Sequence, residues 1–109
     1  MKRKTIYVAG PMAGKPDFNR AAFNAAAERL ASDGWRVVNP VALNDAIDIG
    51  GTAGVAAVMD AELAIIPHLD AIYLLKGWER SKGARAELKV ALEYGLMVIT
   101  EDNKAEGNA

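Results

Sequence analysis

Four short apolar segments alternate with three helix-like segments along this chain, and that order limits the fold more than any other feature. The short segments have the length of strands and are bounded by Gly, Pro, Asn or charged residues, whereas the longer segments between them repeat apolar residues every three or four positions. We predict strands over residues 5–9, 35–38, 71–75 and 96–100, and helices over 18–32, 53–66 and 82–94. Strands that alternate with helices form a parallel sheet with helices packed on its faces, so an α/β domain is expected.

Composition narrows the class of protein and of partner. A chain of 109 residues, 51% hydrophobic and 25% charged, has room for one core, so we predict a single domain over residues 1–109. The net charge of −1 and the lack of a Lys/Arg block argue against a nucleic-acid polymer or a membrane surface as partner, which leaves small molecules. With no cysteine, no signal peptide and no segment of membrane-spanning length, the chain is expected to be cytoplasmic.

Three loops are candidates for a ligand site. In an open parallel sheet, ligands bind beyond the carboxyl ends of the strands, where the connections diverge to opposite faces, and this points to the loops 10–17, 39–51 and 76–81. The first loop has three residues between Gly10 and Gly14 and a proline after Lys15, so it matches neither a P-loop nor the dinucleotide fingerprint. Its backbone amides either bind a ligand or belong to an ordinary strand-to-helix connection.

The third predicted helix carries a carboxylate beside its apolar stripe. Glu87 follows Ala84 by three residues and precedes Ala91 by four, so it lies at the edge of the face that packs inward. Moving an ionised carboxylate out of water costs several kcal/mol or more unless it is paired or hydrogen-bonded. Glu87 is therefore either a structural acid with satisfied partners or a catalytic acid, and Ser81 is the expected cap of its helix.

Several short motifs, taken together in their order and spacing, resemble the nucleoside 2-deoxyribosyltransferase superfamily. They are Tyr7-Val8-Ala9-Gly10-Pro11-Met12, Asn39-Pro40, Asp60, Asp70 and Ser81-x-Gly83-x-x-x-Glu87. Within that superfamily the chain is most similar to short phage- and prophage-associated domains of unassigned function, which share the phrases Pro-Asp-Phe-Asn and Gly-Trp-Glu-Arg-Ser-x-Gly-Ala. The resemblance implies a flavodoxin-like three-layer sandwich, and we expect four or five parallel strands in the order 2-1-3-4.

The resemblance also implies catalytic roles. Glu87 would be the nucleophile at C1′ of the sugar, the Tyr7 hydroxyl would help to keep it ionised by lowering its pKa, and Asp60 would contact the sugar or protonate the departing base. An Asp stands in the characterised transferases where this chain has Ser81. A Ser at this position is similar to the deoxynucleoside monophosphate N-glycosidases, whose Ser-x-Gly turn receives the 5′-phosphate.

The residues that the resemblance places against substrate each have a structural alternative. They are Gly10, Pro11, Met12, Asn39, Trp78, Ser81, Lys82 and Gly83. Tyr7 could equally be a core aromatic, Asp60 a solvent-facing acid and Trp78 a cover over apolar surface. Lys82, with its neighbours Arg80 and Arg85, could be a solvated charge cluster. The single histidine, His68, has no partners at metal-ligand spacing, so no metal site is predicted.

We therefore predict hydrolysis or transfer at the N-glycosidic bond of a deoxynucleoside or nucleoside 5′-monophosphate through Glu87, with no metal or organic cofactor. Two alternatives stay open: binding of a nucleotide or nucleotide-derived signal without turnover, and NAD glycohydrolase chemistry. The second predicted helix is small and apolar nearly all round, which favours packing against a second copy of the chain. The resembling enzymes are oligomers that share their sites, so a homodimer or higher homo-oligomer is expected.

Overall fold

The computed structural model describes residues 3–42 and 51–101 of the chain, and within this part it describes all side chains except those of residues 51–57. The described residues contain four strands, β1 (Thr5–Ala9), β2 (Arg36–Val38), β3 (Ala71–Leu74) and β4 (Met97–Thr100). They form one sheet in the order β2-β1-β3-β4, and every pair in it is parallel. The predicted flavodoxin-like α/β fold and its strand order 2-1-3-4 are confirmed.

The helices agree with the predicted ones except near two ends. They are α1 (Arg20–Ser32), α2 (Gly51–Ile65) and α3 (Lys82–Glu93), with short 3-10 turns over Pro16–Asn19, Ile66–His68 and Trp78–Arg80. The prediction that the first helix starts at residue 18 is wrong, because Asp17, Phe18 and Asn19 have positive φ angles of 50°, 54° and 64°. The predicted loop after β2 is also shorter at its start, since residues 40–42 are already helical; residues 43–50 lie outside the described part.

The core has two halves, one on each face of the sheet. Alternate residues of the two central strands point to opposite faces, as they must in a pleated strand. Ile6 and Val8 pack with Phe23 and Leu30 of α1 on one face. Tyr7 and Ala9 pack on the other face, with Leu63 of α2 and Ala84 of α3. All nine residues of β1 and β3 except Thr5 are buried, so these strands are covered on both faces as expected for a parallel sheet.

The carboxyl ends of β1 and β3 come very close together. Leu75 N–H donates to the Ala9 carbonyl at 2.8 Å, and a Cβ atom placed on Gly10 would lie only 2.7 Å from Cβ of Leu75. A Cβ on Gly77 would lie 3.5 Å from Cγ of Pro11, so the two loops that leave these strands are in contact. In the order β2-β1-β3-β4 this is the point where the connections diverge, and it is the expected ligand edge of the sheet.

At the amino end of the same two strands, Asp70 has a structural role. Its Oδ2 accepts hydrogen bonds from Thr5 N at 2.7 Å and from Thr5 Oγ1 at 3.0 Å. Its own N–H donates to the Thr5 carbonyl at 3.1 Å. Asp70 therefore ties the start of β3 to the start of β1, which is the structural role of a turn acid. In the described ranges, the helices lack the length and apolar character that crossing a membrane requires.

Candidate active site

Three titratable side chains meet on the face of the sheet that α2 and α3 cover. Tyr7 of β1 donates its hydroxyl proton to Oε2 of Glu87 in α3 at 2.7 Å, within the core. Glu62 of α2 lies beside both of them, close enough to affect their pKa values. Tyr7 is fully buried, and each glutamate is only 5% exposed. We call these three residues the Tyr7–Glu62–Glu87 cluster.

Local sequence explains how Glu87 reaches this position. Ser81 caps α3, because its side chain accepts a hydrogen bond from Ala84 N at 3.1 Å. From that start, Ala84, Glu87 and Ala91 fall on one helical face and are all buried. Tyr7 points to the same face as Ala9, so a strand with strict alternation delivers the phenol to the carboxylate.

Burial and mutual repulsion control the charge of the cluster. Burial raises the pKa of Glu87 to about 9; the Tyr7 hydrogen bond lowers it, while the nearby Glu62 carboxylate adds to the rise. Burial likewise raises the pKa of Glu62, while the adjacent polar groups of Glu87 and Tyr7 lower it. The pKa of Tyr7 is raised too, first by burial and then by the adjacent carboxylates. The Tyr7 hydrogen bond therefore lowers the pKa of Glu87 as expected, but burial outweighs it and the pKa is raised overall.

Two buried carboxyl groups in contact behave as a pair that shares protons. Both have raised pKa values, and a hydrogen bond between two carboxyl groups needs a proton on one of them. A pair of this kind can hold one carboxylate beside one carboxylic acid. This combination can provide a nucleophile and a proton donor in the same site, as in glycoside-cleaving enzymes with two carboxyl groups.

Glu62 is a site residue that sequence reasoning missed. The sequence motifs indicated Asp60 instead, which lies on the exposed side of α2. Two residues along a helix are about 200° apart around its axis, so these two acids face opposite directions. Glu62 stands at helical spacing from Met59 and Ile66, but Asp60 stands at the same spacing from Ala56 and Ala64, so the sequence pattern does not distinguish the two acids.

The residues predicted in the first loop lie at the ligand edge of the sheet, and each has a packing role there. Gly10 leaves room for Leu75, as described above. Pro11 is buried, and its carbonyl accepts a hydrogen bond from Asn19 Nδ2 at 3.0 Å. Met12 is half-buried against the α1 half of the core. None of these contacts prevents the exposed backbone of this loop from meeting a ligand.

Asn39 and Trp78 lie on the two other loops. Asn39 Oδ1 accepts from Val41 N at 3.1 Å, and its Nδ2 donates to Asn24 Oδ1 at 2.9 Å. Asn39 therefore starts the helical turn after β2, which is a structural use of its amide. Trp78 is half-buried and packs against the same half of the core as Tyr7. Its substrate role remains a prediction.

The last of the predicted substrate-binding residues, Ser81, Lys82 and Gly83, lie at the start of α3. Ser81 is half-buried, Lys82 is exposed, and Gly83 faces α2: a Cβ there would lie 3.2 Å from Cε of Met59 and 3.9 Å from Ser81 Oγ. Gly83 thus lets α2 and α3 approach closely beside the cap. The catalytic and substrate roles of all these residues stay predictions, while the cluster itself and the hydrogen bond from Tyr7 to Glu87 are structural facts.

The described residues do not form a metal site. Within residues 3–42 and 51–101, no group of three His, Cys, Asp or Glu side chains is arranged to hold a metal ion. His68 is exposed in the turn after α2. The acidic cluster described above contributes two carboxyl groups, Glu62 and Glu87.

Comparison with known proteins adds a family and a structural relative. Residues 4–100 match the family DUF4406, described as a domain of unknown function. No curated protein matches the sequence. Among solved structures, the chain is similar to one described as 2-desoxiribosyltransferase from Leishmania mexicana, with 27% sequence identity and a TM-score of 0.62. The match covers 89% of this chain and 63% of that chain, so this protein spans less than two thirds of the transferase.

These matches bear on the resemblance seen in the motifs. The solved relative supports the link to the nucleoside 2-deoxyribosyltransferase superfamily, and it shares the α/β fold described above. The phage-associated branch and the monophosphate motif remain predictions. Since the family match begins at residue 4 and ends at residue 100, it includes the sheet, the helices and the buried acidic cluster, and the chain belongs to the DUF4406 family.

Proposed function

We propose that this protein cleaves or transfers at the N-glycosidic bond of a nucleoside 5′-monophosphate, with Glu87 as the nucleophile. The observation that carries the proposal is the buried Tyr7–Glu62–Glu87 cluster, in which a phenol and two carboxyl groups with raised pKa values lie together. In the proposal one carboxyl group acts as the base and the other as the acid. The similarity to a 2-desoxiribosyltransferase supports the same class of chemistry.

The proposed reaction assigns a step to each member of the cluster. The bond between C1′ and the base nitrogen breaks, its electron pair leaves with the base, and the carboxylic acid of Glu62 gives the base a proton. The Glu87 carboxylate forms a bond to C1′ or stabilises the cation that develops there. Water, or a second base in transfer, then attacks C1′, gives its proton to Glu62 and releases Glu87.

In this scheme Tyr7 stabilises the negative charge of the Glu87 carboxylate. Its hydroxyl, 2.7 Å from Oε2, stabilises the carboxylate when the proton of the pair is on Glu62. The positive charge that develops at C1′ of the substrate favours an ionised Glu87, so the proton of the pair is expected on Glu62 during the reaction. Glu62 replaces Asp60 as the proposed proton donor, since it is the buried acid of α2 beside Glu87, whereas Asp60 is exposed.

The start of α3 is the proposed phosphate site. Ser81 Oγ accepts from Ala84 N and keeps its own proton to donate to a phosphate oxygen. The first N–H groups of a helix and the positive end of its dipole favour an anion at the same place. The exposed cations Arg80 and Lys82 flank Ser81 and add to the positive potential.

The direct test is base release. Purified protein is incubated with ribo- and deoxyribonucleoside 5′-monophosphates, and with NAD, and the free base is followed by chromatography. We expect at least one monophosphate to release its base faster than its unphosphorylated nucleoside. Addition of a second base separates transfer from hydrolysis. Tight binding with no release from any substrate would refute the reaction and support a binding protein; release from NAD alone would support a NAD glycohydrolase.

Two variants of Ser81 separate phosphate binding from helix capping. Both Ser81→Ala and Ser81→Asp remove the hydroxyl donor, but aspartate still caps a helix and also repels phosphate. We expect Ser81→Ala to lower the free energy of unfolding by about 1 kcal/mol and Ser81→Asp to change it little. A phosphate hydrogen bond contributes about 1.5–3 kcal/mol, so KM for the monophosphate should rise at least tenfold in both.

The matching nucleoside is the control in that experiment. Its KM should stay within about twofold of the wild-type value in Ser81→Asp, because it has no phosphate to repel. Equal increases in KM for the nucleoside and its monophosphate would remove Ser81 from the phosphate site.

A further inference from the structure

The turn before α1 has a backbone conformation that its central residue does not favour. Asp17, Phe18 and Asn19 all have left-handed φ angles, between 50° and 64°. Asp and Asn tolerate this region because their short polar side chains bond locally, but for a bulky residue such as Phe it is an outlier. Phe18 is therefore the residue of the three whose left-handed conformation is not explained by its residue type.

Burial of the Phe18 ring does not explain this conformation. The Phe18 side chain is 63% exposed, and the 3-10 turn Pro16–Asn19 has no buried residue. The turn is nevertheless held in place: Phe18 N donates to the Lys15 carbonyl at 3.0 Å, Asn19 Nδ2 donates to the Pro11 carbonyl at 3.0 Å, and Arg20 pairs with Asp17 at 3.4 Å. An ordered turn thus presents an aromatic ring to solvent in a strained conformation.

The position of the turn suggests what the ring meets. Through Asn19 the turn is bonded to Pro11, and Pro11 lies against Gly77, the residue before Trp78. Phe18 and Trp78 are therefore on two touching loops that leave the adjacent strands β1 and β3 at the ligand edge of the sheet. Exposed aromatic rings at such an edge are suited to the flat face of a heterocyclic base.

We propose that Phe18 covers the base of a bound nucleotide, and that the left-handed turn of residues 17–19 is kept in its strained form for this contact. The inference rests on the proposed nucleotide substrate and extends it, by assigning the base to the loop after β1 and the phosphate to the start of α3. Such a contact accounts for both the exposure and the conformation of Phe18.

The test combines stability with binding of two ligands. Phe18→Gly relieves the left-handed conformation but removes the ring, so its Tm should rise by about 2–5 °C while base binding weakens. Loss of one stacking contact is expected to raise Kd for a nucleoside 5′-monophosphate about 5- to 150-fold. Ribose 5-phosphate, which has no base, should bind equally to both forms. Kd is measured by calorimetry in the Glu87→Gln background, which prevents consumption of the ligand.

Tyr94 offers a matched control, because it is also 63% exposed and lies after α3, where the chain turns toward the start of β4. Tyr94→Gly should neither raise Tm nor change Kd for any of the four common ribonucleoside monophosphates or their deoxy forms. The inference is overturned if none of these nucleotides binds, if Phe18→Gly leaves their Kd unchanged, or if ribose 5-phosphate loses affinity equally. Base release by the wild type is measured separately, so failure of the reaction and failure of this contact are distinguishable.

Discussion

Glu87→Gln and Glu87→Ala are expected to lower kcat for base release by about 10⁴- to 10⁶-fold, because each removes the group that forms or stabilises the bond at C1′. The loss should be the same for every substrate, whatever its base, since all of them develop positive charge at the same carbon. The rate is measured as free base released over time, with a coupled or chromatographic assay sensitive to slow turnover. A Glu87→Ala protein that turns over at the wild-type rate would end the nucleophile assignment.

Stability measurements give the control for the same variant. Glu87 has a folded-state pKa raised from 4.5 to about 9, so its contribution to the free energy of unfolding is complete below about pH 4.5 and is lost as the pH rises toward 9. Glutamine cannot ionise, so urea denaturation of Glu87→Gln should show a weaker fall in stability between pH 5 and 9. Glu93→Gln, in the exposed last turn of α3, is the matched variant and should retain both activity and the wild-type pH dependence.

Glu62→Gln is expected to lower kcat about 10²- to 10⁴-fold for ordinary purine monophosphates, because the departing base loses its proton donor. N7-methylguanosine 5′-monophosphate already carries a positive base that leaves without a proton, so its rate should fall much less. This difference between leaving groups separates Glu62 from Glu87, whose loss affects both substrates. The variant should also lose the limb of the pH profile of kcat that reports a protonated acid.

Asp60→Asn is the matched control for that prediction, since Asp60 is an exposed acid two residues earlier on the same helix. It should retain nearly full activity with both substrates. If Asp60→Asn instead shows the selective loss and Glu62→Gln does not, the proton donor is the residue that the sequence motifs indicated, and Glu62 is a structural partner of Glu87.

The sequence could not show which of the two acids, Asp60 or Glu62, faces the interior. Both acids stand in a helix that is apolar nearly all round, so its periodicity does not single out one inward face. In α3 the apolar stripe is well defined, and Glu87 could be recognised from it. The pKa of Glu87 could not be predicted either, because it depends first on burial and then on Tyr7 and Glu62, groups far from Glu87 in sequence that only the packing of the sheet, α2 and α3 brings together.

The sequence by itself determined the order of strands and helices, the parallel sheet, the cap at Ser81 and the inward position of Glu87, because these follow from local periodicity, turn residues and chain order. The tertiary structure decided that Glu62 is the acid beside Glu87, that the pKa values of both are raised, and that Phe18 is exposed in a left-handed turn. These depend on distances between segments far apart in sequence and on exclusion of water from the space between them, neither of which a local pattern contains.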